Sequence, residues 1–140
     1  MECRVSWLGS GSMTFSAETG SGHLVNMDGA PEAGGRNLAP RPMELILAGT
    51  GGCSAFDVVL ILQKARQAIS GCDVTLQAER AADDPKVFTK INLHFTVTGK
   101  DLDPAKVDRA VKLSHEKYCS ATTMLAKTAE LTYSVEVITD

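Results

Sequence analysis

The stretch that most constrains the fold spans residues 51–62, Gly51-Gly52-Cys53-Ser54-Ala55-Phe56-Asp57-Val58-Val59-Leu60-Ile61-Leu62. Its second half is apolar at successive positions, so a helix built from it has no polar face. Such a helix must be covered on all sides, inside a domain or across a subunit interface. Glycine is a poor helix former, and Gly49-Thr50-Gly51-Gly52 stands directly before the cysteine. The spacing therefore predicts a short helix over 43–48, a break, and a long helix from Gly52 or Cys53 to about Ile69. A helix starting there puts the Cys53 sulfur in its first turn. Unpaired N–H groups and the positive end of the helix dipole favour a thiolate at that place.

The remaining elements follow from local pattern. Residues 3–8, 13–18 and 23–28 read as short strands separated by glycine-rich turns, an antiparallel meander. Residues 29–42 form a loop too long for a tight connection and are expected to be the mobile part of the fold. Pro42 suits a first helical position, and Glu44 complements the dipole of the turn it opens. Gly71 is expected to end the long helix. Residues 72–79 alternate, and 87–97 alternate most clearly, with Val87, Thr89, Ile91, Leu93, Phe95 and Val97 on one face. His94 lies on the other face and is read as solvated. Asp103 and Pro104 are an N-cap and first helical residue. Val107, Ala110, Val111, Ser114 and Tyr118 recur at helical spacing. Cys119 then opens a second short helix, and Leu131, Tyr133, Val135 and Val137 alternate in a last strand. Strands and helices are segregated, so the class is α+β, with an antiparallel sheet and a long central helix in one domain over 1–140. The apolar half of that helix calls for a second subunit to cover it.

Charge and cysteine usage exclude several functions. Fourteen Lys and Arg against seventeen Asp and Glu give a net charge of −3, without the basic excess that a nucleic-acid binder needs. No apolar run approaches the roughly 20 residues of a membrane span. The N-terminal residues lack the pattern of a secretory signal, so a cytoplasmic location is expected. The four cysteines, Cys3, Cys53, Cys72 and Cys119, form no C-x-x-C motif, and neither a metal nor an organic cofactor is expected. His23, His94 and His115 carry no local signature of a Cys–His pair. Cys53 and Cys119 both fall at predicted helix N-termini. Two such thiols fit either a peroxidatic and resolving pair or two inert packed side chains. Cys3 and Cys72 sit at strand starts and read as structural.

Two segments carry a family resemblance. Arg41-Pro42-Met43-Glu44-Leu45-Ile46-Leu47-Ala48-Gly49-Thr50-Gly51-Gly52-Cys53-Ser54-Ala55-Phe56-Asp57-Val58 resembles the signature of OsmC/Ohr-type proteins, and Glu116-Lys117-Tyr118-Cys119-Ser120 is similar to the region of their second cysteine. The likeness extends over nearly the whole chain and looks closest to the YhfA-like branch. It implies an intertwined homodimer with the long helices at its centre and thiol-dependent reduction of organic hydroperoxides. An external dithiol of lipoyl or thioredoxin type would restore the enzyme. By position, Cys53 would be the peroxidatic thiol, Cys119 the resolving one, and Glu44 the carboxylate that holds an activating arginine. The first strand turn, Gly9-Ser10-Gly11-Ser12, lacks the arginine that one branch uses, which leaves Arg41 and Arg36 as candidate cations. Ser120 stands where peroxidase members usually have proline. Phe56, Met43, Leu47 and Met124 would form an apolar wall for the hydrocarbon tail. The alternative is a non-catalytic or redox-sensing dimer that binds a small apolar or thiol-reactive ligand in the same cleft.

Overall fold

A computed structural model describes the whole chain, residues 1–140. Its backbone gathers into two compact units, Met1–Ala48 and Gly49–Asp140.

The first unit opens with β1 (Cys3–Trp7), β2 (Phe15–Thr19) and β3 (Leu24–Met27), paired antiparallel in that order as the glycine-rich turns predict. The segment after β3 is more tightly held than its composition suggests. The buried Asp28 carboxylate accepts N–H bonds from Gly29 at 2.8 Å and from Arg36 and Leu38 at 3.1 Å each. The bond from Leu38, with those from Arg36 and Gly29, outweighs the effect of burial and keeps the Asp28 carboxyl below its ordinary pKa. Gly35 turns back onto the Gly29 carbonyl so closely that no side chain would fit between them. The loop is therefore anchored at its base rather than free.

The long helix α1 (Pro42–Lys64) is a single element of 23 residues. The predicted break at Gly49–Gly52 does not occur, and Cys53 lies in the helix interior instead of its first turn. The end of the helix also differs. Arg66, at φ 57°, takes the left-handed position that closes the helix, with Gln67 N–H bonded to the Leu62 carbonyl at 2.9 Å and Arg66 N–H to Gln63 at 3.0 Å. Gly71 is a strand residue beyond this point.

In the second unit α1 is followed by β4 (Ala68–Arg80), β5 (Phe88–Lys100), α2 (Pro104–Leu113), one π-helical turn at Ser114–Tyr118, α3 (Ser120–Leu125) and β6 (Glu130–Thr139). The sheet order is β4-β5-β6. β4 and β5 pair antiparallel, whereas β6 runs parallel to β5, so this sheet is mixed. Ile91, Leu93, Phe95 and Val97 are buried along the central strand, as the alternation predicts. Val87 and Thr89 do not join them. The register with β4 slips by one residue near Arg80, Thr89 becomes the extra residue of a bulge, and Phe88 turns inward to 5% exposure. Asp103 caps α2 as expected, accepting the Ala105 N–H at 3.0 Å, and its own N–H bonds Gln67 Oε1 at 2.8 Å.

Of the three glycines of α1, Gly51 has a tertiary cause. A Cβ built on Gly51 would lie 2.6 Å from Leu76 Cδ1 of β4. Gly51 thus lets the helix approach the sheet, and that packing overrides a helix-propensity deficit of about 1 kcal/mol per glycine. Thr50, Gly51, Ser54, Val58 and Leu62 form the buried row of α1. Against the expectation that no apolar run is long enough for a membrane span, α1 is long and apolar enough to cross one by length and composition. Its buried row meets Leu76 at Gly51 and Ser114 at Ser54. The opposite face is apolar yet open: Phe56 is 69% exposed and Leu60 38%.

Candidate functional site

The second unit brings Cys53 and Cys119 together. Cys53 projects from mid-α1 and is half-buried, while Cys119 is fully buried between the π-turn and α3. Their side chains are near neighbours, close enough for Cys53 to influence the ionisation of Cys119. Cys119 is the N-cap of α3, and its sulfur accepts the Thr122 N–H at 3.4 Å. The expected consequence of that position, an easily ionised thiol, does not follow. Burial pushes the Cys119 thiol up, the Thr122 bonds only partly oppose it, and the neighbouring Cys53 raises it further. No positive charge is among these influences. The helix-terminus argument for Cys53 likewise falls, because α1 begins at Pro42. What the structure retains of the sequence argument is the pairing of the two thiols.

The geometry around the pair is set by residues that the sequence reading left out. Ser54 and Ser114 are both buried, and their hydroxyls are 3.1 Å apart. Ser114 Oγ is also 3.2 Å from the Ser54 carbonyl and 3.2 Å from Asp57 Oδ2, both acceptors for its proton. The Ser114 carbonyl accepts the Cys119 N–H at 2.9 Å, the i to i+5 bond of the π-turn. In the sequence Ser114 is one more residue at helical spacing, and Asp57 is part of a motif.

Glu44 and the two arginines lie in the first unit. Glu44 Oε2 accepts the Arg41 N–H at 3.3 Å, the backward arm of a capping box at the start of α1. Its Oε1 lies 3.9 Å from Arg41 Nη1, which also donates to Asn37 Oδ1 at 2.9 Å. Glu44 therefore holds an arginine, namely Arg41. Arg36 donates instead to the Gly11 carbonyl at 3.4 Å.

Among the apolar candidates, Phe56 and Met124 are exposed and Met43 and Leu47 half-buried. A shallow cavity of about 330 Å³ runs beside Phe56, lined by Gly52, Ala55, Val59, Leu60 and Gln63. Cys3 is exposed on β1; Cys72 is half-buried on β4, where burial and then Asp73 raise its pKa. His94 is not merely solvated: its Nδ1 is 2.8 Å from Ser134 Oγ and its Nε2 3.7 Å from Glu136. His115 packs on Tyr133 with ring centres 4.8 Å apart.

The chain is similar in sequence and fold to known proteins. The family model described as OsmC-like protein matches residues 34–134. Protein YhfA of Escherichia coli (strain K12) is 51% identical over 138 residues, covering 99% of this chain and 98% of its own. The crystal structure of a hypothetical protein from Aquifex aeolicus VF5 is 29% identical, with a TM-score of 0.86 over 99% of this chain and 96% of that one. The organic hydroperoxide resistance protein OhrB of Bacillus subtilis shares the fold, with a TM-score of 0.65 at 20% identity over 97% of this chain and 98% of its own. By sequence and fold alike, the chain belongs to the OsmC-like family.

Proposed function

We propose that the protein is a cytoplasmic, homodimeric thiol peroxidase that reduces organic hydroperoxides through Cys53 and Cys119, with residues 1–140 acting as one domain. The observation that carries this reading is the proximity of the two thiols, close enough for Cys53 to raise the pKa of Cys119. Cys119 holds its proton by burial, so attack falls to Cys53, the more accessible sulfur. The Cys53 thiolate attacks the terminal oxygen of the hydroperoxide, the O–O bond breaks, and the alcohol leaves after taking a proton. Cys53 is then a sulfenic acid. Cys119 attacks its sulfur, a disulfide forms, and water departs. An external dithiol of lipoyl or thioredoxin type reduces the disulfide by exchange. The name of the B. subtilis relative supports an organic peroxide as substrate, as does the apolar cavity beside Phe56. Membership of a family that is typically dimeric supports the homodimer, as does the open apolar face of α1, which a second copy would cover.

A second reading, a redox-sensing dimer without turnover, is favoured by one feature: no cation offsets the burial of Cys119. The test is consumption of cumene hydroperoxide and of hydrogen peroxide with a dithiol reductant, using wild type, Cys53→Ser and Cys119→Ser. The peroxidase reading expects turnover that prefers the organic peroxide and vanishes in Cys53→Ser. Oxidation of the pair without catalytic turnover would favour the sensor.

A further inference from the structure

The thiol pair spans two elements that share no covalent constraint near the sulfurs: α1 carries Cys53, and the junction of the π-turn with α3 carries Cys119. A disulfide tolerates little error, since the two Cα atoms must come within about 4.4–6.8 Å with the Cβ vectors converging. Something must therefore fix α1 against the π-turn. Ser114 hydrogen-bonds across these elements, to Ser54 and to Asp57. Ser54 is the chain neighbour of Cys53. On the other side, the Ser114 carbonyl holds the Cys119 N–H at 2.9 Å through the wide π-turn. A single residue thus links to the backbone next to one cysteine and to the backbone of the other. Two neutral hydroxyls would form such a link weakly. The Asp57 carboxylate makes one of its bonds charge-assisted, and these are roughly twice as strong as neutral ones.

We infer that Ser114, held by Asp57 and Ser54, is the positioning residue that keeps Cys53 and Cys119 at disulfide-forming distance. Touching neither sulfur nor substrate, it sets how readily the pair closes. The inference rests on Cys53 and Cys119 working as a redox pair, but not on the oxidant being a peroxide.

Its test is the equilibrium of the purified protein with glutathione. The dithiol protein and oxidised glutathione give the disulfide protein and two reduced glutathiones, the two thiol protons passing to glutathione. The equilibrium constant is the effective concentration of one protein thiol at the other. Ser114→Ala and Asp57→Ala are expected to lower it by about tenfold, the scale of one lost hydrogen bond to a charged acceptor. Asp57→Asn keeps a side-chain oxygen facing Ser114 and is expected to stay within about threefold of wild type. Melting temperatures are measured alongside. If Ser114→Ala does not fold, the two Asp57 variants carry the comparison. Alanine variants that melt earlier yet keep the wild-type equilibrium constant would overturn the inference, because the network would then be structural only. A lowered constant in a protein that fails to turn over peroxide would uphold it and reject the peroxidase reading alone.

Discussion

Gly51→Ala tests why α1 runs unbroken through a glycine cluster. The new methyl carbon would lie 2.6 Å from Leu76 Cδ1, about 1 Å inside the normal carbon–carbon contact of 3.5–4.0 Å. Forcing one extra carbon into such a contact costs about 1–3 kcal/mol. Alanine in place of a helical glycine returns about 1 kcal/mol. The net expectation is a loss of roughly 1 kcal/mol, or about 3–5 °C in Tm for a chain of this size. The Leu76→Ala background removes the obstructing methyl, so there Gly51→Ala should stabilise by about 1 kcal/mol. The coupling energy between the two sites is then about 1–3 kcal/mol, and the sign of the Gly51 effect reverses. Urea unfolding of the four proteins at one fixed protein concentration measures it. An equal gain in both backgrounds would refute the reasoning, because Gly51 would then answer to something other than the approach of β4.

Other expectations follow from the same geometry. Because burial raises the folded pKa of Cys119 above the ordinary 9.0, its contribution to stability is fully present below pH 9.0 and declines as the pH rises toward the folded value. Unfolding midpoints above pH 9.0 should fall more steeply for wild type than for Cys119→Ala. Asp28 behaves in the opposite sense: its lowered pKa contributes stability above the ordinary 3.8, lost as acid carries the pH down through the folded value. Acid unfolding below pH 3.8 should therefore be steeper in wild type than in Asp28→Asn, and Asp28→Ala should expose residues 29–42 to limited proteolysis. Phe56→Asp puts a carboxylate on the open face of α1. Sedimentation at micromolar concentration should show wild type as a dimer and this variant as a monomer, and a monomeric wild type would remove the interface argument.

Much of the second sheet was legible in the sequence because its determinants are local. The alternation from Ile91 to Val97 states which face is buried, and Asp103-Pro104 states where α2 starts. The failures have long-range causes. The glycines before Cys53 look like a helix break until Leu76, far along the chain, is seen against Gly51. Arg66 takes a left-handed conformation that no glycine announces, so the end of α1 was misplaced toward Gly71. The bulge at Thr89 moved Phe88 onto the core side against the two-residue period. At the site, the sequence pattern places Cys53 and Cys119 each at a helix N-terminus. The structure removes that placement for Cys53 and overrides its effect for Cys119 by burial, yet it puts the two sulfurs together. Ser54, Asp57 and Ser114 left no comparable trace, since a serine at helical spacing reads as one more face residue until its partner element is in place. The capping role of Glu44, by contrast, was half visible in its position within the first turn.

The central claim is that Cys53 and Cys119 form one redox unit. Its most direct measurement is a peptide map of the reduced protein after one equivalent of cumene hydroperoxide under denaturing quench. The account predicts a Cys53–Cys119 disulfide within one chain, with Cys3 and Cys72 still free thiols. A peroxide-treated protein in which Cys53 and Cys119 both stay reduced, or in which the disulfide recruits Cys3 or Cys72, would contradict it.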